Sequence, residues 1–462
     1  MNPLSSIVRK TLKSQDLLGL SVAVVQKDEL LLCKGYGLSD AKHGTKVSEN
    51  TLFSIGSTTK AFTATAIAML IEDGKLSLDT PIIRCLPGFK LKDTYATEHA
   101  TLRDLLCHRT GLPRHDVFWW KTPLSRWDLL KRLKYLKLTK SFRQGFEYSN
   151  LHYLVAGLVI EVVSGKSFEV FIQERIFNPL DMDSACFYTP DMHKQADVAI
   201  GHRYSEKAKR FLPEKPDSHP EICAAGTIHL NAVDAAKWLR FNLSRGEVNE
   251  TSLLSPTRFN ELWSPQIGLA ENTDPTKEVV DLAYGLGWFT GQRYGHLCVN
   301  HGGMINQTFT RICLIPKEGI GIFISATGKD PDYLSSVMAL EYNFVDHLLG
   351  QKKKDWKAHF AKSIAAQETQ AAPKPQQLST PNPETLIGTY KSPALGELEI
   401  RSSSKTLTLH LRGERSPLKP IAKTRYGTKP IFWGEAFEIH FKPNRNGQTT
   451  FLTLLSDEQS YP

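Results

Sequence analysis

Strand-forming runs stand at both ends of the first 330 residues, with helical patterns between them. Near the start, "LSVAVVQKDELLLCKGYG" at 20–37 reads as two β-rich runs around the polar Gln26-Lys27-Asp28-Glu29, a hairpin. Strand signals return between 284 and 327 in "YGLGWFT", "HLCVNHGG", "QTFTRICLIP" and "GIGIFISATG". The middle alternates the helical patterns "TLRDLLCHRTG", "LHYLVAGLVIEVVSG" and "NAVDAAKWLRFNLSRG" with Pro/Gly-rich loops. This order predicts an α+β fold: one antiparallel sheet built from both ends of the segment, flanked by helices, with a helical region inserted.

The texture changes after residue 350. "AAQETQAAPKPQQLSTPNPE" has no apolar periodicity and reads as a linker, 351–384. Beyond it, "LIGTYKSPALGELEIRSSSKTLTLHLRG" and "PIFWGEAFEIHFKPNRNGQTTFLTLLS" alternate apolar and polar residues between turns, which predicts a small all-β barrel over 385–462. The larger part is then 1–350. A Pro-rich linker of this length is long enough to bring the β-domain to a cleft of its own chain or of a neighbour.

The charge balance of +9 would suggest a nucleic-acid partner if it were spread over the chain. It is not, because +7 of it falls in the last 112 residues, and the preceding 350 are near neutral. A solvated basic tail accounts for this, and no nucleic-acid partner is expected; an acidic partner or membrane surface is the competing reading. Seven cysteines without a C-x-x-C pair lie mostly in apolar runs and read as reduced thiols. No signal peptide and no transmembrane segment is expected, so the expected location is cytoplasmic.

In "FSIGSTTKAFTATAIAML", Ser57 and Lys60 stand three apart at the start of a helix apolar on nearly every side from Ala61 to Ile71 and closed by Asp73-Gly74. Positions three apart share a helix face. A serine hydroxyl is a weak nucleophile until a neighbouring base takes its proton. Desolvation and the positive end of the helix dipole both disfavour the ammonium form that would stop a lysine from being that base. The same helix start offers the Ser57 N–H to a developing oxyanion. Ser57 as a plain N-cap and Lys60 as a surface residue remain the competing reading of this pair.

Two further stretches bear on the choice. Tyr148-Ser149-Asn150 precede the apolar helix "LHYLVAGLVIEVVSG", and His301-Gly302-Gly303 end a strand where glycines permit close approach to the backbone. Either stretch taken singly is also compatible with ordinary capping or a turn.

Ser57-x-x-Lys60, Tyr148-x-Asn150 and His301-Gly-Gly303, in that order and about 90 and 150 residues apart, resemble the three motifs of the serine β-lactamase and penicillin-binding-protein superfamily. The Tyr-x-Asn form is that of class C β-lactamases and the related peptidases and esterases of the CubicO group. "TLRDLLCHRTGLPRHD", "AAGTIHLNAVDAAKWLRF" and "YGLGWF" match as well. The resemblance covers about residues 10–350, and the C-terminal part resembles the lipocalin-like β-domain of some members.

The resemblance implies a β-lactamase/transpeptidase-like fold and roles for each residue. Ser57 is then the nucleophile, Lys60 its activating base and Tyr148 the proton relay, while Asn150 orients Lys60 and the substrate. The N–H groups of Ser57 and Met304 form the oxyanion hole beside His301, Gly302 and Gly303. It further implies an acyl-enzyme hydrolase acting on a small peptide, amide or ester, without cofactor or metal, with a homo-oligomer allowed for. β-Lactamases usually carry Lys-Thr-Gly where His301 stands first here, which disfavours a β-lactam as the main substrate. A weak β-lactamase or acyltransferase of the same fold and a non-catalytic scaffold stay open. His108 and His115 have no zinc spacing and read as structural. Trp119 and Trp120 read either as pocket lining or as packing.

Overall fold

The hairpin expected at 20–37 seeds the central sheet. Strands Leu17–Gln26 and Glu29–Asp40 join through Lys27 and Asp28, at φ 47° and 66°; two positive φ values are what a two-residue I′ turn requires. The structure, a computed structural model, describes residues 2–13, 16–187, 197–248, 251–269, 278–329, 332–362, 383–403, 406–422, 425–428, 438–443, 449–456 and 459–461. The chain divides into two units: residues 1–80, 101–107 and 152–370 form the first, and 81–100, 108–151 and 371–462 the second.

In the first unit, the described residues form a nine-stranded antiparallel sheet in which Leu17–Gln26 lies between Glu29–Asp40 and Ile320–Gly328. The register Leu20↔Ala326, Val22↔Ile324, Val24↔Ile322 joins the two ends of the segment, as expected. Thr308–Ile315, His296–Ile305, Phe289–Arg293 and Val279–Tyr284 follow in order outward. Alternate residues face opposite sides of a strand. Leu20, Val22, Val24, Ile320, Ile322 and Ile324 therefore bury together against Leu4 and Val8 of helix Pro3–Leu12 and against Val337, Leu340 and Phe344 of helix Asp332–Leu348. Each such side chain contributes about 1.5–3 kcal/mol relative to exposure. On the other side, helix Ala232–Leu243 comes close enough that a Cβ on Gly321 would meet Val25 and Leu239.

Helix Thr59–Glu72 is buried on all sides from Thr59 to Ile71. Phe62 stacks on Trp238 at 3.8 Å between ring centres. The helix ends at Gly74, whose φ of +72° suits a left-handed cap, and Gly74 N–H donates to Ile71 O at 3.0 Å.

The start of the segment expected as linker packs on the same unit. Trp356 and Phe360 bury against Ala339 and Tyr342, and Trp356 Nε1 donates to Asp346 Oδ2 at 2.6 Å. These two aromatics inside a lysine-rich run were the available signal. Residues 363–382, the remainder of that segment but for two residues, lie outside the described residues.

In the second unit, eight described strands from Gly388–Ser392 to Gln459–Tyr461 pair antiparallel in chain order. They form a curled half-barrel, the all-β C-terminal domain expected. Along Thr406–Leu411 the residues Leu407, Leu409 and Leu411 are buried and alternate with less buried ones, the period of two read from the sequence.

Candidate active site

Ser57 sits in a 3-10 turn, Gly56–Thr58, that runs straight into helix Thr59–Glu72. The N-cap position falls on Thr58, so Ser57 is not a cap. Lys60 is fully buried. Its Nζ stands 3.0 Å from Ser57 Oγ and donates to Ala225 O at 2.9 Å. It lies 5.4 Å from the centre of the Tyr153 ring, whose hydroxyl donates to Leu106 O. The small helix Cys223–Gly226 holds Ala225 in place, because Thr63 Oγ1 donates to Ala224 O at 2.6 Å. The serine–lysine pair read from the spacing is thus brought together, held by a carbonyl 165 residues away.

The strand His296–Ile305 runs against the same turn. A Cβ on Gly303 would stand 2.0 Å from Ile55 O and 2.7 Å from Ser57 N. One on Gly56, whose φ is +53°, would stand 2.6 Å from Met304 N. Both positions therefore need glycine, and the backbones carrying the Ser57 and Met304 amides lie side by side.

His301 is 1% exposed. Its Nδ1–H donates to Gly302 O at 2.6 Å, so Nε2 is the acceptor for Tyr284 O–H at 3.0 Å. Burial first, and then the nearby Lys60 charge, push its pKa down to about 3. It is neutral for a stronger reason than the ordinary value of a free histidine, and it carries no charge for a substrate carboxylate.

In the second unit, Ser149 N–H donates to His108 Nδ1 at 3.2 Å and Ser149 Oγ–H to Pro113 O at 2.8 Å. The His108 ring lies 4.4 Å from that of Tyr148, and the Arg114 guanidinium 5.5 Å above it. Asn150 opens helix Asn150–Ser164, and its Nδ2 donates to Asp116 Oδ1 at 3.1 Å. Trp119 is fully buried, with Nε1 donating to the same Asp116 oxygen at 2.8 Å, and Trp120 is nearly so. His115 Nε2–H donates to Lys137 O. Among the described residues no group of three or more His, Cys, Asp or Glu is arranged to hold a metal ion.

Asp116, Tyr284 and Ala225 are partners that the sequence did not single out, and His108, read there as structural, accepts from Ser149 N–H. All of them lie in stretches quoted above for their resemblance, but nothing local shows what each one touches. A cavity of about 950 Å³ in the first unit, lined by Leu17, Leu38, Tyr204 and Phe211, holds none of the candidate residues. The seven cysteines are free thiols, and no described helix is long and apolar enough to cross a membrane.

The buried histidines make stability depend on pH. Burial pushes His152 down to about 3 and His115 to about 4, alongside His301 at about 3. Unfolded, each titrates near 6.5. The unfolded chain therefore binds more protons below that pH, so the stability these groups give is complete above about 6.5 and is lost as pH falls through about 4 for His115 and through about 3 for His152 and His301. Each group costs about 1.4 kcal/mol per pH unit in that window. Urea midpoints measured at pH 7, 6 and 5 should fall progressively; a constant or rising midpoint would contradict the burial of neutral rings.

A serine paired with a buried lysine three residues on, set at the head of a buried helix beside an antiparallel sheet, defines the serine β-lactamase and penicillin-binding-protein class. The chain belongs to the Beta-lactamase family, whose model matches residues 4–339. It is 31% identical over 423 residues to the unguisins hydrolase ungD' of Aspergillus campestris (strain IBT 28561), covering 86% of this chain and 77% of that protein. To protein flp of Staphylococcus aureus (strain MW2) it is 28% identical over 348 residues, 74% of this chain and 66% of that protein. The octameric penicillin-binding protein homologue from Pyrococcus abyssi shares the fold at a TM-score of 0.67 and 21% identity, over 99% of this chain and 98% of that one.

Proposed function

We propose that this protein is a serine hydrolase that forms an acyl-enzyme at Ser57 and cleaves amide or ester bonds of small substrates. The observation that carries the reading is the 3.0 Å approach of Lys60 Nζ to Ser57 Oγ. Lys60 is the base that takes the hydroxyl proton as Oγ attacks the carbonyl. The amides of Ser57 and Met304 stabilise the oxyanion. Tyr148 passes the proton to the leaving group, then helps water to attack the ester, and Asn150 orients Lys60 and substrate. Membership in the family and a relative named a hydrolase support this reading. The neutral His301 favours peptides or esters over substrates held by a carboxylate charge. The free thiols fit a cytoplasmic location, and the octameric neighbour supports a homo-oligomer.

The test is covalent labelling with a fluorophosphonate and a fluorescent penicillin, with the adduct mapped by mass. It is followed by turnover of p-nitrophenyl esters, aminoacyl-p-nitroanilides of both chiralities and nitrocefin. Label at Ser57 with ester or anilide turnover exceeding that of nitrocefin is expected. No label over hours would instead favour a catalytically idle scaffold.

A further inference from the structure

The hairpin between strands Thr406–Leu411 and Glu414–Ala422 turns through Arg412 and Gly413, at φ 50° and 83°. Asn or Asp with Gly is the usual occupant of such a turn, and arginine is an unfavourable choice for a left-handed position. Its side chain shows what it does there. The guanidinium donates to Val117 O at 2.7 Å, Trp120 O at 2.6 Å, Phe118 O at 3.2 Å and Leu395 O at 3.0 Å. Three of these carbonyls belong to the short helix Asp116–Trp119 and its C-cap Trp120, where no intrahelical donor is available. A second strut, Lys121 Nζ to Glu414 Oε1 at 2.5 Å, joins the same two segments.

The other end of that helix is Asp116. Arg114 Nε donates to its Oδ2 at 2.7 Å, while Trp119 Nε1 and Asn150 Nδ2 donate to Oδ1. An ionised carboxylate only accepts hydrogen bonds, so Asn150 must turn its NH₂ toward Asp116 and present its carbonyl oxygen in the other direction. That oxygen is the end of the amide able to accept from a lysine ammonium or a substrate N–H. The sense of the Asn150 amide therefore depends on where Asp116 is held.

We propose that Arg412 of the C-terminal β-domain is a positioning residue for Asn150, acting through the helix Asp116–Trp119 and the Asp116 carboxylate. This rests on the reading of Asn150 as a site residue. It gives the β-domain a part in building the site.

The experiment uses the full chain as R412A, R412K, D116N and R412A/D116N. R401A is the control on the same domain, where the side chain is largely exposed and pairs with Glu399. Two readouts are taken: hydrogen–deuterium exchange of peptides spanning 114–121 and 148–151, and kcat and KM on p-nitrophenyl acetate. R412A is expected to exchange faster at both segments and to lose about 10- to 100-fold in kcat, with KM within about threefold. R412K, a point charge in place of a fork, should recover only part of that loss. In the D116N background R412A should cost less than about twofold more, because the two act in series. Parental exchange in R412A, or full multiplication of the two kcat losses in the double variant, would overturn the proposal. If R412A fails to fold, R412K with parental exchange and kcat does so. A parent protein that takes no label at Ser57 sinks the hydrolase reading, and the exchange data still decide the role of Arg412.

Discussion

Ser57→Ala is expected to leave a folded protein that takes no covalent label and has lost about 10⁴-fold or more of its turnover. The hydroxyl is the only group at this position that can bond to the substrate carbonyl. On the proposed mechanism the Ser57 and Met304 amides survive the change, so residual catalysis over water is expected from them alone. Stability should change little. Ser57 is half-buried, and Lys60 keeps its bond to Ala225 O, so the loss is that of one hydrogen bond, about 1 kcal/mol. The measurement is ester turnover and probe labelling beside a thermal melt. Turnover within tenfold of the parent would exclude Ser57 as nucleophile.

Lys60→Arg should be nearly as damaging as Lys60→Ala, with kcat of the two within about tenfold of each other and both at least about 10³-fold below the parent. A guanidinium stays protonated at any working pH and cannot take the serine proton. The space is also wrong for it. Lys60 is fully enclosed between Ser57, Ala225 O and the Tyr153 ring, and a larger head group there strains its neighbours by about 1–3 kcal/mol. The arginine variant should therefore melt below the parent as well as being inactive. The decisive quantity is the rate of acylation by the fluorophosphonate in each variant. Substantial acylation of the arginine variant would make Lys60 a fixed charge and not a base.

Much of the scaffold was legible because its signals are local. The hairpin around Gln26–Glu29, the all-buried helix ended by Gly74 and the period of two at Leu407, Leu409 and Leu411 each depend on a few neighbouring residues. The Ser57–Lys60 pair is of the same kind, since helical geometry alone carries two residues three apart to one face. His301 shows the limit. Its neutrality could be expected from an ordinary imidazole, but its tautomer and its shift to about 3 come from Tyr284 and from burial.

The sequence by itself determined the fold class, the joining of both ends of the first 330 residues in one antiparallel sheet and the approach of Ser57 to Lys60, because periodicity and short spacings are written within one or two turns of chain. Only the tertiary structure decided what holds those motifs in place. Ala225 O meets Lys60 across 165 residues, Asp116 meets Asn150 across 34, and Arg412 meets Trp120 O across 292. A backbone carbonyl has no sequence signature, and a carboxylate or guanidinium looks the same in the sequence whether it is solvated or clamps a helix. Which atoms these groups satisfy is set by the packing of distant segments, where every buried donor and acceptor must find a partner.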